Sequence, residues 1–160
     1  MKSFLILVLI ACVFIGCDDA RVFEKNTDFE ERAWLVTNKP VFEFDIPDST
    51  SAYNVYLTVR NSVDYPFSRF FVTYYLQDST NRTLNQKLIE TTLFDAKTGE
   101  PFGSSGLGDI YDHRVALLNN HTFGYSGIHK IQLEQFMRTD TLEGVLAVGV
   151  RVERASDQNK

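Results

Sequence analysis

Residues 53–60 read Tyr53-Asn54-Val55-Tyr56-Leu57-Thr58-Val59-Arg60. Every second position holds a large apolar side chain, and the positions between them are mostly polar. Successive side chains of a β-strand point to opposite faces, so this period of two predicts a strand with one buried face. Residues 70–76 continue the pattern, with Phe70, Val72, Tyr74 and Leu76 on one face.

The same alternation extends along most of the chain, with turn signals between the runs. Further strand candidates are Phe42 to Ile46, residues 84–94, 113–118, 128–136 and 146–152, and turn residues cluster at 64–66, 78–81, 97–101 and 143–144. The chain also has 13 Phe and 7 Tyr, which favour strands. We therefore predict an all-β fold, a single antiparallel β-sandwich that is jelly-roll-like, with about seven to nine strands.

The N-terminus has the composition of an export signal. Lys2 precedes an apolar run from residue 4 to residue 16, and Cys17 follows. Thirteen residues at about 1.5 Å each span only about 20 Å, which is short of the roughly 30 Å core of a bilayer. The run therefore predicts a cleaved signal peptide.

The end of this run, Gly16-Cys17, resembles the bacterial lipobox, in which a small residue precedes an obligatory cysteine. The resemblance implies signal cleavage between Gly16 and Cys17, and lipid on the Cys17 thiol. Because Cys12 leaves with the signal peptide, no thiol remains for a disulfide or a metal site. We divide the chain into a signal peptide (1–16), a lipidated N-terminus and tether (17–33), the sandwich (34–154) and a frayed tail (155–160).

The charge balance excludes one class of partner. Removal of residues 1–16 removes Lys2 from the 16 basic residues, leaving 15 against 21 acidic residues. No stretch of the sequence is markedly basic. We therefore expect no nucleic-acid binding.

The most distinctive loop is the glycine-rich segment 102–109. It lacks the Lys and Ser or Thr that complete a phosphate-binding loop, and Asp109 follows its last glycine. Ser104 and Ser105 have no evident base to activate them. Asp109, Asp112 and His113 are too few for a cation site, and His113, His121 and His129 match no zinc pattern. We predict no catalytic residues, no metal and no cofactor, and hence no enzyme.

Two loops remain as candidates for partner contact. Ser104, Ser105, Asp109 and Asp112 lie in or next to the glycine-rich segment. The alternative is an ordinary turn that uses the positive φ open to glycine. Arg138 and Asp140 lie between the last two long strand candidates. They could instead form an ion pair across their own turn.

Four stretches resemble one known family: Arg21-Val22-Phe23-Glu24 and residues 59–69, 97–112 and 135–152. They look like the gliding-motility lipoprotein GldH family of Bacteroidota, over nearly the whole mature chain. The resemblance implies a lipoprotein of the cell envelope that works in gliding with other gliding lipoproteins and with envelope motor and secretion proteins. It implies no reaction, and only Cys17 carries over as a functional residue.

The resemblance also sets the expected location. It implies a lipid anchor in a membrane, which we expect to be the outer membrane, and leaves its periplasmic and surface faces open. A second hypothesis is an envelope glycan- or ligand-binding module that uses aromatic side chains on the outside of a sheet. Its candidate residues are Tyr56, Phe71 and Tyr75.

Overall fold

The computed structural model describes residues 20–105 and 108–156, and this part of the chain holds eleven β-strands and one 3₁₀ turn. Their order is β1 (Arg21–Asp28), the 3₁₀ turn (Glu30–Arg32), β2 (Ala33–Leu35), β3 (Val41–Ile46), β4 (Tyr53–Ser62), β5 (Arg69–Asp78), β6 (Thr83–Thr92), β7 (Ser104–Ser105), β8 (Ile110–His121), β9 (Gly127–Gln135), β10 (Thr141–Glu143) and β11 (Val145–Arg154).

The strands form two main sheets and a small pair, and every pairing is antiparallel. One sheet has the order β1-β11-β4-β8-β7, the other has the order β3-β9-β5-β6, and β10 pairs with β2. Eight of the strands have six or more residues. The predicted all-β, antiparallel sandwich is therefore confirmed.

The alternating side chains fill the space between the two sheets. On β4, Tyr53, Val55, Leu57 and Val59 are buried and the residues between them are half-buried or exposed. The inward residues of β3, β5, β9 and β11 complete the core, together with Trp34, which stacks on Phe29 with 5.3 Å between ring centroids. Full burial of such a side chain contributes about 1.5–3 kcal/mol. The pattern seen in the sequence is therefore the main source of stability.

Strand β1 lies inside the segment that the sequence assigned to a tether. Seven of its residues pair with β11, from Arg21 opposite Glu153 to Asp28 opposite Ala147, and the Phe23 ring lies 5.7 Å from that of Phe44. The sandwich thus begins at residue 21 rather than at residue 34. An edge strand needs few buried side chains, which is why its mostly polar sequence concealed it.

The two ends of the sandwich differ in what they carry. At one end lie Ala20, the short loops 47–52, 79–82 and 122–126, and the end of β11, where Arg154 N donates to Ala20 O at 2.8 Å. We call this the terminal end. The other end, here the opposite end, carries segments 29–40, 63–68, 93–109 and 136–144, as far as they are described.

The C-terminal boundary follows from β11. The strand ends at Arg154, and Ala155 N still donates to Ala52 O at 2.9 Å. The last four residues of the tail, 157–160, lie outside the described residues.

Candidate functional site

Four of the six predicted contact residues lie at the start of β8, at the opposite end of the sandwich. Ser104 and Ser105 form β7 and pair with Asp112 and Tyr111. The Ser104 hydroxyl donates to the Asp112 carbonyl at 3.3 Å, and Asp109 O accepts from Val63 N at 2.9 Å. The described part of the glycine-rich segment therefore adds β7 to the edge of the five-stranded sheet rather than standing free.

Gly103 allows this segment to approach β8 closely. A Cβ on Gly103 would lie 2.7 Å from His113 Nε2 and 2.8 Å from the Asp112 carbonyl oxygen. Only a residue without a side chain fits there. Close packing against β8 therefore explains the glycine at this position without any ligand.

Beside Gly103 lies a cleft of about 630 Å³, whose walls mix charged and hydroxyl groups. Arg60 and Asp112 line it and form an ion pair, with 2.8 Å between Arg60 Nε and Asp112 Oδ1. Ser104, His113 and Arg114 line it as well. The charges in this wall neutralise one another, so the cleft has no strong preference for an ion of either sign.

His113 and Ser104 do not form a nucleophile–base pair in this arrangement. His113 Nε2 is buried and has no hydrogen-bond partner among the described residues, while the Ser104 hydroxyl is directed to the main chain. Burial lowers the pKa of His113, and the Asp112 carboxylate partly offsets this effect. The imidazole is therefore neutral at pH 7.

Arg138 and Asp140 lie in the other candidate loop, at the same end of the molecule. Both side chains are exposed, and no ion pair joins them in the described part of the chain. The Asp140 main chain is held, because its carbonyl accepts from Val36 N at 2.8 Å. The ion pair that the sequence allowed across this turn is not formed.

The residue that shapes this loop is Gln135, which was not among the predicted contact residues. Its side chain is 2% exposed; Nε2 donates to Thr139 O at 2.9 Å, and Oε1 accepts from Met137 N at 2.8 Å. In the sequence, its only signal was an amide residue at an inward-facing position at the end of an alternating strand. Gln135 thereby fixes the loop that presents Arg138.

Three aromatic residues proposed as a ligand platform are half-buried and lie on two different faces. Tyr56 is on the outside of the five-stranded sheet, where the Arg114 guanidinium lies 5.0 Å above its ring. Phe71 and Tyr75 are on the outside of the four-stranded sheet, and the Tyr75 hydroxyl donates to Glu134 at 2.7 Å. They cannot form one binding surface.

A buried arginine, also missed in the sequence, ties β1 to the sheet. Arg151 is 7% exposed, its Nη1 lies 2.7 Å from Glu24 Oε2, and its Nε donates to Glu153. Arg114 adds a contact of 3.4 Å to Glu153. Removing one partner of such a buried pair is destabilising, so these charges hold the first strand in place.

The other two histidines lie near the terminal end. His129 is fully buried, and its Nδ1 donates to Gly127 O at 3.0 Å. Burial lowers the pKa of His121, and the neighbouring His129 lowers it further. Within the described ranges, no three His, Cys, Asp or Glu side chains are grouped so that they could hold a metal ion.

Two further observations bear on membrane attachment. Among residues 20–105 and 108–156, no helix is long and apolar enough to pass through a bilayer. The predicted lipidation and cleavage residues, Cys17 and Gly16, lie outside the described residues.

Comparison with known proteins gives a consistent result. The sequence profile of the GldH lipoprotein family matches residues 21–152. A gliding motility lipoprotein GldH homolog from Christiangramia forsetii is 27% identical, over 97% of this chain and 97% of the relative. The gliding motility lipoprotein GldH of Flavobacterium johnsoniae is 25% identical, over 96% and 98%.

Similarity to solved structures is weak. A non-crystalline cellulose-specific carbohydrate-binding module, CBM28, aligns with a TM-score of 0.43 and 11% identity, over 87% of this chain and 76% of the module. The adhesin domain K1 of Lys-gingipain from Porphyromonas gingivalis aligns with a TM-score of 0.37 and 9% identity, over 84% and 83%. Similarities at this level carry no functional argument.

Proposed function

Because the chain belongs to the GldH lipoprotein family, we propose that it is a membrane-anchored lipoprotein of the cell envelope and a non-catalytic accessory component of gliding motility. The observation that carries this proposal is the extent of the match. The family profile covers residues 21–152, from the first strand to near the end of the last. Both curated relatives align over almost their full length.

The anchor in this proposal is lipid on Cys17 after cleavage behind Gly16. Each buried methylene contributes about 0.8 kcal/mol, and two acyl chains hold a protein on a bilayer where one does so only marginally. A diacylglycerol on Cys17 supplies two chains. We assign the anchor to the outer membrane.

The partner-contact surface in this proposal is the opposite end of the sandwich. All six candidate residues lie at or next to this end, in two groups. Ser104 and Ser105 form β7, with Asp109 just before β8 and Asp112 near its start, while Arg138 and Asp140 lie in the loop before β10. Loops on a rigid scaffold are the usual carriers of binding function. The proposed partners are other gliding lipoproteins and the envelope motor and secretion proteins.

The test is complementation of a deletion strain in a gliding host. The wild-type gene should restore colony spreading and protein secretion, Cys17→Ala should restore neither, and Ser104→Ala should restore both if no catalytic step depends on that hydroxyl. Normal gliding and secretion in the deletion strain itself would contradict the proposed function. Membrane fractionation of the Cys17→Ala protein checks that the anchor, rather than the fold, was lost.

A second candidate function is ligand binding on the outside of the four-stranded sheet. One group of side chains favours it: the half-buried Tyr75 ring, whose hydroxyl bonds to Glu134, which in turn lies 2.6 Å from Lys39 Nζ. Gln132 lies opposite Tyr75 in the sheet. An aromatic face next to amide and carboxylate groups suits a sugar. Tyr75→Ala should then reduce retention on envelope glycan, whereas Tyr56→Ala, on the other sheet, should not.

A further inference from the structure

We propose that the terminal end of the sandwich rests on the phospholipid headgroups of the membrane, with the cleft around Arg154 in contact with them, and that the opposite end points away. This inference rests on the lipid anchor proposed at Cys17. It adds an orientation and a contact surface, neither of which an anchor alone specifies.

The chain between the proposed anchor and the first strand is short. An extended chain covers at most about 3.6 Å per residue, so Ala20 lies within about 11 Å of Cys17. Ala20 is bonded to Arg154, and β1 pairs with β11 from Arg21 onward. The ten residues of β4 span about 33 Å. The opposite end therefore lies about 33 Å from Ala20, which is about three times the maximum length of the tether.

The charges of the two ends are the second argument. Among described residues in the loops and at the strand ends, the terminal end carries Arg21, Arg82 and Arg154 against Asp48 and Asp78. The opposite end has nine acidic side chains against five basic ones. The acidic set is Asp28, Glu30, Glu31, Asp64, Asp95, Glu100, Asp109, Asp140 and Glu143, and the basic set is Arg32, Lys39, Arg69, Lys97 and Arg138. Asp18 and Asp19 of the tether add two acidic residues next to the terminal end, which leaves it close to neutral. An anionic membrane surface therefore repels the opposite end more strongly than the terminal end.

The groups at the terminal end are those that headgroups bind. A cleft of about 600 Å³ next to Ala20 is lined by Arg154, Thr50, Ser51 and Asn120, among others. The Thr50 and Ser51 hydroxyls donate to the Asp48 carboxylate, so the donors offered to a phosphate are the Arg154 guanidinium and the Asn120 amide. Tyr125 is 37% exposed at the same end. Tyrosine is enriched where proteins meet the membrane interface.

The test uses one fluorophore at a time on the full lipoprotein, in vesicles of phosphatidylethanolamine and phosphatidylglycerol that contain a headgroup-labelled nitroxide lipid. Ser79→Cys places the fluorophore in an exposed loop of the terminal end, and Thr37→Cys places it in an exposed turn of the opposite end. Because Cys12 is cleaved off and the Cys17 thiol is blocked by lipid, only the introduced thiol reacts. Quenching at Ser79→Cys should be several times that at Thr37→Cys. Equal quenching, or the reverse order, would overturn the orientation.

Charge reversal tests the contact at Arg154. Arg154→Glu should reduce quenching at Ser79→Cys, whereas Arg138→Glu, the matched change at the opposite end, should leave it unaltered. No loss with Arg154→Glu, or equal losses in both variants, would overturn the contact of this cleft with headgroups.

Flotation distinguishes failure of the anchor from failure of the orientation. The Cys17 lipoprotein should float with the vesicles and Cys17→Ala should not. If the Cys17 protein stays unbound, the proposed anchor fails. If it floats but both fluorophores are quenched equally, only the orientation fails.

Discussion

Gly144 illustrates how a single residue without a side chain joins two parts of this fold. Its φ is +78°, and a Cβ there would lie 2.6 Å from the backbone of Tyr65, which is 5% exposed. Its carbonyl accepts from Ser62 N and its N–H donates to Arg32 O. The turn into β11 can therefore contact the 63–68 loop only with glycine at this position.

Gly144→Ala should destabilise the protein through both left-handed backbone strain and overpacking. Gly99 has a similar φ of +74° but open space around it, so Gly99→Ala isolates the strain alone. We expect about 1–2 kcal/mol for Gly99→Ala and a further 1–3 kcal/mol for Gly144→Ala. Urea unfolding of both variants measures the difference. Equal losses would show that contact with Tyr65 costs nothing.

Asp48 and Asp78 form the same kind of turn in two terminal-end loops. Each carboxylate accepts from both the N–H and the hydroxyl of the threonine two residues later. Hydrogen bonds from Ser51 and Thr50 lower the pKa of Asp48 to about 2, and bonds led by that from Thr80 lower the pKa of Asp78 to about 2.

A lowered pKa in the folded state makes stability depend on acid. The contribution of these carboxylates is fully present above their ordinary value of 3.8 and is lost as the pH falls from there through about 2. The urea midpoint of the wild type should fall across this range. An Asp48→Asn, Asp78→Asn double variant should be less stable at pH 6 and lose less on acidification. Parallel curves for the two proteins would contradict this account.

Individual site residues were predictable only where the sequence itself carries the chemistry. The role of Cys17 stays a prediction, which rests on the preceding apolar run and Gly16. Gln135 and Arg151 are the contrary case. Their roles depend on which strand lies next to them, and strand pairing is not contained in a local pattern.

At the scale of strands, alternation predicted the inward faces of β3, β4, β5, β9 and β11. It failed for β2, β7 and β10, since strands of two or three residues are too short to show a period of two. It also failed for β1. That strand pairs on one side only, and within it only Val22, Phe23 and Thr27 are half-buried.

Removal of β1 distinguishes a tether from a structural strand. A chain that starts at Glu30 should melt about 10 °C or more below one that starts at Ala20, because β11 becomes an uncovered edge and Arg151 loses Glu24. Thermal unfolding followed by circular dichroism measures the change. Equal melting temperatures would restore the tether interpretation for residues 21–28.

At the scale of the whole molecule, the functional predictions depend on the difference between the two ends of the sandwich. The two most exposed of the large apolar side chains described, Phe102 and Phe136, lie at the opposite end and are 63% and 62% exposed. Large exposed apolar patches mark sites of association, and we propose that these two rings belong to one. The sequence could list these residues but could not place them at the same end.

Phe102→Ser combined with Phe136→Ser should impair gliding without unfolding the protein. Stability should change by less than about 0.5 kcal/mol, because both rings are exposed. Colony spreading should fall toward that of the deletion strain. Leu88→Ser, at a 46% exposed position in the middle of β6, is the control and should spread normally. Full spreading by the double variant would remove these rings from the partner surface.

The pairing of β1 with β11 also determines how the protein carries mechanical load. If lipid on Cys17 anchors the protein as proposed, a pull between this anchor and a partner at the opposite end is directed along β1, since this strand runs from one end to the other. The hydrogen bonds between β1 and β11 are then strained together in shear, rather than opened one at a time as in a zipper. The β1–β11 pair therefore resists tension along the strands better than a pull across them.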